Sequence, residues 1–329
     1  MAAVGERHGL DPSSLRSASS DASFRRYFRI DAAGGATFIV MDAPPPREDV
    51  RPFVRIARHF SAGGLHLPAV PEVDGEEGFL LLGDLGTRLY LDALKDADAH
   101  GDARAVDALM RDAIGALVRW QTCGGLELPP YDDALLRREL ALFPEWCVGR
   151  EHGLAWNANE QATWSTACDL LVASALAQPT VPVHRDWMPR NLMVCSPNPG
   201  ILDFQDAVQG PITYDIACLL RDAFISWDEE REIDWAVRYW ERARGAALPV
   251  HGDFGEFWRA LEWMGLQRHL KVLGIFCRLK HRDGKPGYSR DLPRFFAYAH
   301  KTASRYATLR PLARLLDPLM GTTRLEAFY

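Results

Sequence analysis

The sequence predicts an α+β chain of two unequal lobes, a small strand-rich one at the N-terminus and a larger helical one holding a single β-hairpin. Three observations predict it. Before Gly86, runs of aromatic and β-branched residues alternate with glycine- and proline-rich turns. After Gly86, most of the chain carries apolar residues at helical spacing. Residues 181–206 alone interrupt that texture, with two short apolar runs around the turn SPNP.

The elements follow in order. FRRYFRIDAAGGATFIVM, residues 24–41, reads as two strands around a turn at Gly34 and Gly35. Pro44, Pro45 and Pro46 end the second strand, and EDVRPFVRIARHFSAGG continues as a helix stopped by Gly63 and Gly64. PAVPEVDGEEGFLLLGDLG gives two more short strands. Residues 88–122 and 132–178 are then helical; in the first, Leu109, Ile114, Leu117 and Val118 form one stripe. Residues 214–245 and 254–281 are helical again, and Asn191–Cys195 with Gly200–Phe204 form the hairpin. The expected division is a lobe at 1–84, a connection near 79–87, and a helical lobe at 85–329. A cleft between such lobes suits a small ligand.

Composition narrows the function. A net charge of −6 and a pI near 5.9 argue against a nucleic-acid partner. Six cysteines without a C-x-x-C pair exclude a zinc ribbon and fit reduced thiols of a cytoplasmic protein. MAAVGERHGLDPSSL contains no signal-peptide pattern, and no apolar run is long enough to span a bilayer. A monomer working on small molecules, away from membranes, is expected.

VPVHRDWMPRNLMV and GILDFQDAVQGP, at 181–194 and 200–211, carry the chemistry. Phosphoryl transfer asks the protein for a base near the attacking hydroxyl, oxygen ligands for divalent metal, and fixed geometry. Asp186 stands in His184-Arg185-Asp186, Asn191 follows five residues later, and Asp203 closes the second strand of the hairpin. The short hairpin would bring Asn191 alongside Asp203. His184 reads as a hydrogen-bonded brace of the loop.

These motifs, with ASFRRYFRI, VMDAPPPREDVRPF, GFLLLGDLG and QRHLKVLGIFCRLKHRDGKPGYSRDLPRF, resemble the aminoglycoside phosphotransferase and choline-kinase-like superfamily. The pattern is similar to its anomeric kinases of cell-wall sugar recycling, which phosphorylate the C1 hydroxyl of N-acetylmuramic acid and N-acetylglucosamine. The resemblance implies a protein-kinase-like bilobal fold and use of ATP and Mg²⁺. It implies Asp186 as catalytic base and Asn191 and Asp203 as metal ligands. It also implies a nucleotide-binding lobe at 1–84, with Ser20, Ala22, Ser23 and Phe24 in the loop over the phosphates. Asp215 would brace the catalytic loop. Other small-molecule phosphotransfer, aminoglycosides included, and a non-catalytic ATP-binding protein are the alternatives.

Two departures stand out. The phosphate loop reads ASSDASFRRY and lacks G-x-G-x-x-G, so small residues must let backbone N–H groups approach phosphate. Strand TFIVMD carries Met41 where kinases place a lysine, and Arg26, or else Arg29, is expected to supply the charge. For the acceptor, Trp187 would either stack on a sugar ring or pack the loop. Gln205, Asp206, Asp222 and Arg221 are the polar candidates, with Arg221 facing a carboxylate. The second H-R-D, residues 281–283, has Tyr288 in place of an asparagine and reads as an exposed turn.

Overall fold

The computed structural model describes residues 6–20 and 24–320, the side chains of Ser19 and Ser20 excepted. By packing, the chain forms two compact units, Met1–Leu126 with Pro189–Ala207, and Glu127–Met188 with Val208–Tyr329.

The first unit is built on an antiparallel sheet of β1 (Leu10–Ser20), β2 (Arg26–Ala32), β3 (Thr37–Asp42), β4 (Glu72–Asp74) and β5 (Phe79–Gly83), in the order β1-β2-β3-β5-β4. The expected hairpin of β2 and β3 is present, with Ile30 opposite Phe38 and Tyr27 opposite Met41. Ile30, Val40 and Leu81 form a small core under Leu10, Phe28, Phe38 and Phe79. Strand β1 was not expected, because LDPSSLRSASS has no apolar alternation. It is an edge strand held by the ladder to β2, with two register shifts, and Ser14 Oγ accepts from Asp31 N–H at 2.8 Å.

Helix α1 (Val50–Ala62) starts where Asp49 caps Arg51 N–H and buries Val50, Phe53, Ile56, Ala57 and Phe60. Between β3 and β5 the backbone closes tightly: Ala43 N–H donates to Gly78 O at 2.9 Å. A Cβ on Gly78, whose φ is +77°, would stand 2.1 Å from Ala43 O, so only glycine fits. Helices α2 (Tyr90–Ala99) and α3 (Ala103–Thr122) complete the unit, with Trp120 of α3 stacked on Phe60 of α1 at 3.6 Å. The unit therefore extends well past the expected boundary at 84, because aromatic stacking and backbone bonding tie residues 88–122 and the hairpin to it.

The second unit contains α4 (Asp133–Leu140), a π-helical stretch (Phe143–Glu151), α5 (Ala158–Leu176), the strand pair β6 (Thr180–Val183) and β9 (Val208–Pro211), and helices α6 to α10. The last five are α6 (Tyr214–Leu220), α7 (Glu229–Gly245), α8 (Phe254–His281), α9 (Leu292–Arg305) and α10 (Arg310–Leu316). Strands β7 (Leu192–Met193) and β8 (Gly200–Ile201) belong to the first unit. The helical texture at 132–178 is thus three segments, and that at 214–245 is two. Among the described residues no helix is long and apolar enough to cross a membrane.

Helix α8 is buried on every face between Met264 and Lys271, as a core helix must be, and beyond that Val272, Ile275 and Arg278 form a half-buried stripe. It packs closely on the end of α4. A Cβ on Gly274 would lie 2.5 Å from the Leu142 carbonyl carbon and 2.6 Å from its Cβ. Gly274→Ala, which on propensity alone should stabilise a helix by about 1 kcal/mol, is expected instead to cost about 1–3 kcal/mol through overpacking. Urea denaturation reads this as a lower midpoint at unchanged slope; a raised midpoint would contradict the close approach.

Candidate active site

In the second unit, β6 delivers the chain into residues 184–188. Asp215, the second residue of α6, faces the start of this loop and accepts two backbone N–H groups, His184 at 2.7 Å and Arg185 at 3.0 Å. The expected brace is there. Burial pushes the Asp215 carboxyl up to about 7; the two N–H donors pull against it and the charge of Asp186 adds to it. His184 is buried, and its Nδ1 accepts from Asp186 N–H at 3.2 Å, which leaves the ring proton on Nε2.

Arg185 takes a left-handed φ of 77°, costly for a residue with a Cβ on the order of 1–3 kcal/mol. Its guanidinium explains what holds it. Nη2 donates to Glu139 Oε1 at 2.6 Å, and Glu139 also pairs with Lys271 Nζ at 2.9 Å and accepts from the Tyr131 hydroxyl. Lys271 reaches Tyr214 Oη at 3.0 Å. Burial raises the Glu139 carboxyl, but Lys271 and Arg185 outweigh it and hold the group below its usual range.

Trp187 is fully buried, its ring edge-on to His184 with centroids 5.4 Å apart. The sugar-stacking role is therefore corrected: an enclosed ring offers no face, and Trp187 packs the loop. Arg221 is corrected likewise. It is buried between Glu232 Oε2 at 3.0 Å and Glu262 Oε1 at 3.1 Å, with Thr302 Oγ1 at 3.2 Å, so its charge is spent inside the helical unit. Asp222 is also fully buried, with Oδ2 accepting from Phe224 N–H at 3.0 Å and Oδ1 without a hydrogen-bond partner among the described residues.

In the first unit the hairpin is shorter than expected, with Leu192 opposite Ile201 and Met193 opposite Gly200. Backbone bonds from Val194 to Arg88 and from Ile201 to His66, each 2.8 Å, extend it sideways. Leu202 N–H donates to Asn191 O at 2.9 Å, and the side chains of Asn191 and Asp203 meet with Nδ2 3.5 Å from Oδ2. Asp203 has a left-handed φ of 61°, and the buried Phe204 beside it packs on Phe53 at 4.6 Å. Gln205 donates to Asp203 Oδ1 at 2.9 Å and to Asp206 at 3.2 Å, so both of these candidates belong with Asp203. A carboxylate and a carboxamide oxygen are the hard donors a magnesium ion takes when substrate phosphate completes its shell. The described residues hold no cluster of three or more His, Cys, Asp or Glu for a metal held by protein alone.

Met41 is buried. Arg26 is two-thirds exposed and paired with Asp42 across the ladder. Arg29 is held by Asp84, Nη2 to Oδ1 at 2.9 Å, and by Gly86 O at 2.8 Å. The arginine beside the hairpin is Arg25, with Nη2 3.8 Å from Asp203 Oδ1 and Nε 3.8 Å from Glu48 Oε2. Phe24 is exposed under the Arg47 guanidinium, and its N–H donates to Glu48 at 3.3 Å. Ala22, Ser23 and the Ser20 side chain lie outside the described residues.

The model of the phosphotransferase enzyme family matches residues 14–254. This chain belongs to that family. The phosphotransferase is 54% identical over 312 residues to an N-acetylmuramate/N-acetylglucosamine kinase of Pseudomonas putida, covering 94% of this chain and 90% of that one. A protein of the same name from Pseudomonas aeruginosa is 51% identical over the same shares. Among solved structures, the ADP-bound aminoglycoside phosphotransferase APH(2'')-Ib aligns with a TM-score of 0.55 at 14% identity, over 92% of this chain and 97% of that one. The kinase-like α+β fold is thereby shared.

Arg25, Glu139 and Lys271 are the residues that sequence reading missed. For Glu139 a signal existed: in LLRREL it falls on the stripe of Leu136 and Leu140, where a solvated carboxylate is out of place. Lys271, likewise, follows Gln267, Arg268 and His269 inside an apolar helix. Glu139→Gln strands two buried cations and is expected to cost about 3–5 kcal/mol at neutral pH. Because the folded carboxyl titrates below its ordinary 4.5, its stabilisation is complete above that pH and fades as the pH falls through the lower folded value. Denaturation of wild type and variant should therefore converge under acid; a gap independent of pH would contradict the ion-pair account.

Proposed function

We propose that this phosphotransferase is an ATP-dependent kinase of N-acetylated amino sugars, placing phosphate on the C1 hydroxyl of N-acetylmuramic acid and N-acetylglucosamine, as a cytoplasmic sugar-recycling step requires. The observation that carries this reading is identity of 54% along 94% of the chain with a protein of that name. A random match of motifs would not extend through both units.

The residues have a division of labour. Asp186 accepts the proton of the C1 hydroxyl as the bond from O1 to the γ-phosphorus forms and the bond to the β,γ-bridging oxygen breaks. An anomeric hydroxyl is more acidic than an alkyl one, so a carboxylate suffices as base. Asp215 and the Glu139–Arg185 pair hold the two residues that lead into that base, so Asp186 meets the acceptor in one orientation. Asn191 and Asp203 would hold Mg²⁺, which supplies charge neutralisation for the nucleotide phosphates. Arg25, braced by Glu48, stands in for the lysine that Met41 replaces. The ADP-bound neighbour supports nucleotide use by the fold.

Three tests follow from this reading. Incubation with ATP and either sugar should consume the reducing end and yield the 1-phosphate; product phosphorylated on C6 would refute the regiochemistry. Asp186→Asn should bind nucleotide normally while turnover falls by about 10²–10⁴; near-normal turnover would remove it as the base. In a parallel comparison, Arg25→Ala should raise the KM for ATP more than Arg26→Ala does. The reverse order would return the role to Arg26.

A further inference from the structure

Gln205 has contacts in the first unit that no role above uses. Asp203 stands at a left-handed φ of 61°, with Phe204 packed on Phe53, so its backbone is fixed and its carboxylate keeps only side-chain rotation. The two oxygens of that carboxylate have different surroundings. Oδ1 accepts from Gln205 Nε2 at 2.9 Å and lies 3.8 Å from Arg25 Nη2. Oδ2 is turned to Asn191, whose Nδ2 is 3.5 Å away. Gln205 and Arg25 thus gather on one oxygen, and the other faces the second residue of the metal pair.

The same amide nitrogen of Gln205 reaches Asp206 Oδ2 at 3.2 Å. A carboxamide nitrogen has two protons, and here each meets a different carboxylate. Turned the other way, the amide oxygen would face two anions, so charge decides the orientation. Oε1 is left buried without a hydrogen-bond partner among the described residues. An unmade buried acceptor is costly, and the two carboxylates hold the amide against that cost. Gln205 is a strap between Asp203 and Asp206, anchored at both ends.

The oxygens a carboxylate can offer decide which ion suits it. Magnesium demands a near-ideal octahedron, into which the narrow bite of a two-oxygen carboxylate fits poorly, and it completes its shell with water and phosphate. Calcium has a larger, looser shell and accepts both oxygens of one carboxylate. A donor on Oδ1 competes for the lone pairs that a bond from that oxygen needs. We propose that Gln205 is a positioning residue that confines Asp203 to one metal-binding oxygen, Oδ2, and so selects Mg²⁺ over Ca²⁺. This rests on the reading of Asn191 and Asp203 as the metal pair. Gln205 acts through Asp203 and does not touch the sugar.

The experiment measures ADP binding to the full chain by calorimetry, with saturating Mg²⁺ or saturating Ca²⁺, for wild type, Gln205→Met and Gln205→Ala. Wild type should hold ADP more tightly with Mg²⁺. Both variants remove the donor, and the ratio of the two Kd values should move toward Ca²⁺ by about 10-fold, the scale on which partners of a metal ligand act. A merely structural role would weaken binding with both ions alike, so an unmoved ratio in both variants would overturn the proposal. A KM for either sugar that rises while the ratio stays would overturn it too, and would return Gln205 to the acceptor. Asp206→Asn, at an exposed position, weakens the far end of the strap and should shift the ratio the same way by a smaller factor. If the Gln205 variants do not fold, this variant decides, and no shift in it would overturn the proposal. Wild-type chain that binds ADP equally well without either ion would sink the metal-pair reading itself, whereas ion-dependent binding with an unmoved ratio sinks only the part given to Gln205.

Discussion

One carboxylate governs the path of the loop that carries Asp186. Asp215 receives the N–H groups of His184 and Arg185, two consecutive amides that point the same way only if the backbone turns sharply between them. Arg185 accordingly sits at positive φ. Burying an anion here opposes ionisation, and the carboxyl rises to about 7. Ionised Asp215 therefore costs stability above that pH, and the fold regains this as the pH falls from about 7 toward 3.8, where the unfolded group also takes its proton. The cost is borne at a position where the backbone must be rigid, which is where strain and destabilised charge commonly gather.

A second layer keeps that arrangement from relaxing. Glu139 gathers Arg185, Lys271 and the Tyr131 hydroxyl from three separate parts of the unit. With Arg185 anchored, the left-handed turn cannot flip to an ordinary conformation without breaking a buried ion pair. The hairpin in the first unit follows the same logic at smaller scale. Asp203 has its own positive φ, and Gln205, Arg25 and the packed Phe204 fix it from three sides. The loop of Asp186 and the turn at Asp203 are thus both held by backbone conformations that the surroundings enforce.

Much of this was legible in the sequence. The hairpin of β2 and β3, the Asp49-capped α1, the β4–β5 pair and the 28-residue α8 all follow from local signals of turn, cap and periodicity. The spacing of Asp186, Asn191 and Asp203 was visible because a loop and hairpin keep chemistry close in sequence. What escaped was decided by distant partners. Strand β1 exists only through its pairing with β2. The direction of Trp187 and Arg221, two residues with polar tips, depends on whether neighbours enclose them, and α7, α8 and α9 enclose Arg221. Arg25 lies next to Arg26 in a run of two arginines, and alternation about the strand start sends one to Asp42 and the other toward Glu48 and Asp203.

The buried methionine of β3 has a pharmacological side. Acylating analogues of nucleotide triphosphates label many kinases by capturing the primary amine of a strand lysine. Here that strand carries a buried thioether, and the cation proposed to replace the lysine, Arg25, is a guanidinium that stays protonated and is not nucleophilic. On the proposed reading, covalent probes of that design would pass over this enzyme, and reversible ligands that engage a planar, two-pronged cation are the better chemistry for it.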